Sequence, residues 1–180
     1  GELNKLIKEG KIRYIGVSNF DKKVLEDACQ QANIVSNQVQ YSILERKIEK
    51  ELVPFCKEKN ISILSYGALG GGILTGKYSE RPNFAKGDVR SFFYKYYKEP
   101  FWSRTKEVVE LLKHIADKHK APVAQAAVNW VTDHPEVASC LAGCRNLNQL
   151  DVNVGAPDWA LSVEEVDAIN AKYMEIFGKS

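Results

Sequence analysis

The alternation of strand-like and helix-like segments limits the possible folds of this chain more than any other feature. Four short segments rich in β-forming residues are predicted strands, at residues 12–17, 35–41, 61–66 and 137–142. Helical patterns separate them, which predicts βαβ units and a parallel sheet. Because such crossovers are right-handed, two α/β architectures remain open, an open doubly wound sheet or part of a (β/α)8 barrel.

The helices are predicted from apolar spacing and from capping residues. Asp21 is a suitable N-cap for a helix that runs to residue 32, and Ser162 with Glu165 forms a capping box. The other helices are predicted at residues 2–9, 46–59, 102–119, 122–133 and 147–154. The segment 67–100 is predicted to be irregular, and loops of that length are commonly functional.

Charge and residue content exclude several functional classes. The 180 residues carry a net charge of +2, too small an excess for binding to a nucleic-acid backbone. No apolar run approaches the ~18 residues of a membrane span, and the first residues do not resemble a signal peptide. The three histidines and four cysteines lack metal-ligand spacing, so we expect no metal site and four reduced thiols in a cytoplasmic protein.

A glycine-rich stretch follows the third predicted strand. Gly71 to Lys77 matches the G-x-x-x-x-G-K of a P-loop, but Tyr78 stands where a serine or threonine would bind magnesium. A P-loop lysine also opens a helix, whereas a proline and a glycine follow Lys77 within eleven residues. A nucleotide triphosphate site is therefore not expected, while a phosphate loop of another kind and a flexible turn both remain open.

Ligands bind at the carboxyl ends of parallel strands in either architecture. Those ends carry amides and hydroxyls, an aromatic ring, glycine N–H groups and two cations, in the segments 18–19, 38–41, 66–77 and 143–146. This set suits a large anionic ligand with a flat ring. It contains no evident pair of a general acid and a general base.

Three motifs in these segments resemble the aldo-keto reductases. IRYIGVSNF at 12–20 resembles a strand and turn of that family, and residues 66–78 resemble its seventh strand and loop. Residues 143–146, with Gln149 and Asn153, resemble its eighth-strand segment. A further segment, FAKGDVR at 84–90, resembles the bacterial branch related to general stress proteins and potassium-channel β subunits. The resemblance extends over residues 1–180 and implies the C-terminal half of a (β/α)8 barrel, with strands five to eight and the C-terminal helices.

The resemblance also implies NADP(H) as the cofactor. Ser18, Asn19 and Gln38 would hydrogen-bond the nicotinamide carboxamide, and Tyr66 would lie against the nicotinamide ring. The other implied cofactor-binding residues are Gly67, Leu69, Gly70, Gly71 and Gly72 (N–H groups for the pyrophosphate), Lys77 (charge), Gly143 and Arg145 (Arg145 at the 2′-phosphate), and Gln149 and Asn153 (adenine). Arg90 is expected to close over the cofactor from the long loop.

Two positions depart from the family pattern. Ala68 replaces a common proline, and Val152 replaces an acidic residue that often precedes the adenine-facing asparagine. The first change loosens the turn but keeps its N–H groups, and the second weakens the expected adenine contacts.

The implied activity is reduction of a small-molecule carbonyl or oxidation of an alcohol. The family's Asp, Tyr, Lys and His tetrad lies on strands one to four, so we expect no catalytic residue here, an inactive isolated chain and a missing N-terminal half as its partner. The alternative is a non-catalytic NADP(H)-binding half-barrel, or a regulatory β-subunit-like module. A half-barrel would expose two strand edges and an apolar face, so it would associate with itself.

Overall fold

The computed structural model describes residues 1–178 and contains a four-stranded parallel sheet. The strands β1 (Ile15–Ser18), β2 (Ile34–Gln40), β3 (Ser62–Tyr66) and β4 (Val137–Leu141) pair in chain order. The predicted parallel α/β sheet is therefore confirmed. A doubly wound sheet reverses its strand order at a switch point, and these four strands show no reversal, which favours the winding of a barrel.

The described residues contain eight α-helices. They are α1 (Glu2–Lys8), α2 (Lys22–Gln31), α3 (Leu52–Lys59), α4 (Arg90–Phe93), α5 (Phe101–Lys118), α6 (Val123–Thr132), α7 (Leu147–Val154) and α8 (Val163–Phe177). Both predicted caps are confirmed, since Asp21 accepts a bond from the Val24 N–H and Ser162 and Glu165 form a reciprocal capping box. None of the helices within residues 1–178 is long and apolar enough to cross a membrane.

Two predicted segments differ in the structure. The single helix predicted at 46–59 is a 3₁₀ turn, Lys47–Glu49, followed by α3, because Pro54 is tolerated only in a first helical turn. The irregular segment 67–100 contains α4 and two 3₁₀ turns, Gly70–Thr75 and Lys95–Tyr97. Elements of three to six residues are too short to produce a periodic pattern. No helix begins at Lys77, as expected from its sequence.

The helices cover one face of the sheet. Buried side chains such as Ile15, Val39 and Ile63 point toward an apolar cluster with α2 and α3, and a second cluster lies between β4, α5, α6 and α8. The side chains of alternate residues point the other way and are half-buried or exposed: Ser18, Gln38, Gln40, Tyr66 and Leu141. The register pairs Ser18 with Gln38, Gln40 with Tyr66 and Tyr66 with Leu141, so the predicted polar ends lie at one edge.

Candidate functional site

A cavity of about 650 Å³ lies at the carboxyl ends of β3 and β4. The glycine stretch forms one side and the segment between β4 and α7 forms the other. Nine of the predicted cofactor-binding residues line it: Gly67, Leu69, Gly71, Gly72, Lys77, Gly143, Arg145, Gln149 and Asn153. Gly70 belongs to the glycine stretch but is buried, and the four remaining predicted residues lie at the ends of β1, β2 and β3.

The glycine stretch adopts a backbone that other residues rarely adopt. Gly70, Gly71 and Gly72 have φ of 57°, 70° and 103° in succession, which is why three glycines occur together. The Gly70 and Gly72 N–H groups donate to carbonyls inside the stretch, at 2.8 Å and 2.9 Å. The N–H groups of Gly67, Leu69 and Gly71 donate to no protein acceptor within residues 1–178. Three of the five predicted N–H groups therefore remain available to a ligand.

Lys77 extends back over this glycine stretch. Its ammonium nitrogen is 3.3 Å from the point that a Cβ on Gly72 would occupy, and 4.8 Å from the centre of the Tyr78 ring. The close approach depends on the absence of a side chain at Gly72. The arrangement places one positive charge against Gly72 on the lining of the cavity.

The segment after β4 is held in place by the start of α7. Asn146 caps the helix by accepting from the Gln149 N–H, and the Gln149 side-chain oxygen accepts from the Arg145 N–H at 2.9 Å. Asn153 donates to the Cys144 sulfur at 3.2 Å. Arg145 itself is exposed and forms no ion pair within the described residues. Its guanidinium lines the same cavity as Lys77 and is near enough to Asp88 to contribute, after Arg90, to the lowered pKa of that carboxyl.

Tyr94 is a cavity residue that the sequence motifs did not identify. Its ring lies against Gly71, 2.7 Å from the point that a Cβ there would occupy. Burial raises the pKa of Tyr94, so the phenol stays neutral. The neighbouring Tyr97 hydroxyl donates to the Gly71 carbonyl at 3.1 Å. The only sequence signal was the aromatic run at 92–97, which is equally typical of a loop anchor.

Arg90 lies at the rim of the cavity and is already engaged. Its guanidinium forms a bidentate ion pair with Asp88, donates to the Tyr78 hydroxyl at 3.1 Å and lies over the ring of Phe84. The hydrogen bonds from Arg90 lower the pKa of the Asp88 carboxyl to about 2. The pair is therefore charged at neutral pH and fixes the loop beside the cavity.

The remaining predicted residues meet at the ends of β1, β2 and β3. The Tyr66 hydroxyl donates to the Asn19 side-chain oxygen at 2.9 Å, and Ser18 donates to the Gln38 carbonyl at 3.1 Å. Asn19 and Tyr66 line a second, smaller cavity of about 280 Å³. Gln40 connects the two regions, since its side chain is 3.3 Å from the Cβ position of Gly67.

Within residues 1–178, no three His, Cys, Asp or Glu side chains are grouped to hold a metal ion. The four cysteines, Cys29, Cys56, Cys140 and Cys144, are not paired with one another. Two histidines instead contact carboxylates: His119 contacts Glu165 and His134 contacts Glu136.

Comparison with known proteins identifies the family. The sequence profile of the Aldo/keto reductase family matches residues 1–174. The aldo-keto reductase YhdN of Bacillus subtilis is 33% identical over 168 residues, which are 93% of this chain and 51% of that protein. The aldo-keto reductase yakc [NADP(+)] of Schizosaccharomyces pombe is 31% identical over 172 residues, which are 94% of this chain and 50% of that protein.

A solved structure agrees with these relatives. The glycerol dehydrogenase AKR11B4 from Gluconobacter oxydans superposes with a TM-score of 0.88 at 32% identity, covering 98% of this chain and 53% of that one. The chain thus spans about half the length of the proteins it matches. The resemblance seen in the three sequence motifs is confirmed, and the chain belongs to the aldo/keto reductase family.

Proposed function

We propose that this chain forms strands five to eight and the C-terminal helices of a (β/α)8 aldo-keto reductase barrel and holds its NADP(H). The intact protein would transfer a hydride between this cofactor and a small carbonyl compound or alcohol. The relative named for NADP(+) and the neighbour titled a glycerol dehydrogenase support the cofactor and the substrate class. The acid–base tetrad would come from the first four strands, so the isolated 180-residue chain would be inactive.

The observation that carries this proposal is the convergence of anion-binding groups on one cavity. Three available N–H groups, the Lys77 ammonium and the Arg145 guanidinium line it together. Backbone N–H groups in a glycine-rich concavity bind phosphate oxygens, and a guanidinium binds a phosphate in a bidentate manner. The cavity volume of about 650 Å³ also lies in the range typical of small-molecule and cofactor sites. These residues therefore fit the phosphates of a dinucleotide.

The internal hydrogen bonds of the glycine stretch divide its residues between two expected roles. Gly67, Leu69 and Gly71 would donate to the pyrophosphate, whereas Gly70 and Gly72 would shape the loop with their own N–H groups bonded internally. Arg145 would pair with the 2′-phosphate. The adenosine end would lie beside Gly143, Gln149 and Asn153, which line the same wall.

The nicotinamide end would lie at the second group of residues. Tyr66 bonds the Asn19 side-chain oxygen, which leaves the Asn19 NH₂ group to donate to a carboxamide oxygen. Ser18 and Gln38 would complete the carboxamide contacts, and the Tyr66 ring would support one face of the nicotinamide. A bound nicotinamide would supply the hydride, and these residues would fix which of its faces meets the substrate carbon.

Three surface features support a barrel that continues beyond these residues. The outer edges of β1 and β4 have no partner strand within residues 1–178, and such exposed edges are normally paired or covered. Parallel sheets also normally have both faces covered, whereas the helices cover one face of this sheet. The exposed side of α7 also carries an apolar stripe, formed by Leu147, Leu150 and Val154. A further βα unit beside β4 would pair the edge and cover the stripe.

Replacement of Arg145 by glutamine tests the cofactor assignment. In the intact protein, Arg145→Gln should weaken NADPH binding by about ten-fold or more, because a charge-assisted bidentate contact is lost. NADH binding should change less than two-fold, since NADH lacks the 2′-phosphate. Titration of tryptophan fluorescence with each cofactor measures both constants.

Arg104→Gln is the matched control, because Arg104 is an exposed arginine on α5 that does not line the cavity. It should leave both affinities unchanged. Equal weakening of NADPH and NADH by Arg145→Gln would contradict the 2′-phosphate role, and failure of the unaltered protein to bind NADPH would contradict the proposed function.

A further inference from the structure

Asn37 is a buried amide, and a contribution to stability does not explain why it is there. It lies in the middle of β2 with 0% of its surface exposed, opposite Val17 of β1 and Ile63 of β3. Its side chain belongs to the apolar, helix-facing side of the sheet. The side-chain oxygen is buried without a hydrogen-bond partner within residues 1–178. Because an unpaired buried polar atom costs free energy, an apolar residue would be the more stable choice here.

The NH₂ group of the Asn37 side chain, in contrast to the oxygen, is hydrogen-bonded. The Asn37 NH₂ group donates to the backbone carbonyl of Phe20 at 2.9 Å. Phe20 lies two residues beyond the end of β1, in the turn that carries Ser18 and Asn19. The side chain of Asn37 therefore reaches from one strand to the turn that follows its neighbour.

That turn has a backbone that needs to be held. Asn19 has a φ of +59°, a left-handed conformation that a non-glycine residue adopts at a cost. The near side of the turn is fixed by bonds from the Asn19 N–H and the Ser18 hydroxyl to the Gln38 carbonyl. The bond from Asn37 to Phe20 fixes its far side, just before Asp21 caps α2.

We propose that Asn37 is a positioning residue for binding of the nicotinamide carboxamide, an inference that rests on the proposed function. Asn37 contacts no ligand. It holds the Phe20 carbonyl and thereby fixes Asn19, whose side-chain oxygen accepts from Tyr66, so that the Asn19 NH₂ group is left to donate to the carboxamide. Loss of the Asn37 donor lets the turn relax, so the cofactor loses contacts at its nicotinamide end and keeps those at its phosphate end.

The test compares two ligands on the intact protein. Asn37→Leu removes the donor and the unpaired oxygen together, and Asn37→Asp keeps the shape but replaces the donor by an acceptor. Both variants should weaken NADPH binding by about ten-fold, the effect of roughly one lost contact to the ring end. Both should bind adenosine 2′,5′-bisphosphate, which lacks the nicotinamide, within two-fold of the unaltered protein. Because the two substitutions perturb the core differently, a folding defect in one leaves the other as the test.

Asn129→Leu is the matched control. Asn129 is also a buried asparagine that donates to a backbone carbonyl, that of Trp159 at 2.9 Å, but it lies in α6 away from the turn. It should lower the thermal midpoint without separating the two affinities. Equal weakening of both ligands by Asn37→Leu and Asn37→Asp, or no weakening of NADPH, overturns the inference. If the unaltered protein binds the bisphosphate but not NADPH, the proposed function fails instead.

Discussion

Gly71→Ala in the intact protein should weaken NADPH binding by about a hundred-fold, a larger loss than that from any single side chain at the phosphate end. A Cβ at this position would lie 2.7 Å from the Tyr94 ring, so the ring and the α4 segment behind it must shift. The Gly71 N–H is also one of the three that remain available in the stretch. The substitution therefore disturbs the proposed phosphate contact and the Tyr94 ring that packs against Gly71.

The alanine also adopts an unfavourable φ of about 70°, which costs about 1–2 kcal/mol whatever the surroundings. Gly87→Ala isolates this cost, because Gly87 has a φ of 88° and no atom within 4 Å of its Cβ position. Both variants should lose unfolding free energy in urea, Gly71→Ala by more because of its added contact with the Tyr94 ring, and only Gly71→Ala should lose NADPH affinity. Similar affinities in the two variants would show that the glycine stretch does not contact the cofactor.

The sequence predicted the parallel sheet and the polar edge because both depend on local patterns. Alternating strand and helix segments placed four strands within a few residues of their observed bounds, and the carboxyl-end rule then grouped the site residues. The three successive glycines also indicated an unusual backbone, because glycine adopts positive φ readily, and all three have positive φ.

The contacts between distant segments could not be predicted in the same way. Tyr94 is 23 residues beyond Gly71, and nothing in the run at 92–97 shows which aromatic ring turns toward the cavity. In the sequence, Asn37 is only a polar residue within a predicted strand, because its bond to Phe20 depends on the register between β1 and β2. The use of the Gly70 and Gly72 N–H groups inside the loop likewise depends on backbone angles that the motif does not specify.

Arg46→Met should lower the free energy of unfolding by about 3 kcal/mol. The Arg46 guanidinium lies between the rings of Trp130 and Tyr173, 4.8 Å and 4.7 Å from their centres. It also donates to Glu49 at 2.7 Å and to Asn170 at 2.9 Å. One side chain therefore joins the segment after β2 to both α6 and α8.

Methionine keeps much of the buried volume, so the loss should come from the charge and its donors rather than from a cavity. Glu49 would keep its bond from Tyr41, and Asn170 its bond from Trp130, but both would lose their cationic partner. Only 14% of the Arg46 side chain is exposed, so water replaces the lost contacts poorly. Urea unfolding of the intact protein, followed by circular dichroism, measures the change.

Lys113→Met provides the comparison, because Lys113 also pairs with a glutamate three residues away, Glu110, but at the surface of α5. Exposed pairs of this kind contribute about 0–1 kcal/mol, so its urea midpoint should stay close to that of the unaltered protein. If Arg46→Met shifts the urea midpoint no more than Lys113→Met does, the Arg46 guanidinium contributes no more to stability than an exposed ion pair. A large and selective shift would instead identify it as the contact that holds α8 against α6 and the segment after β2.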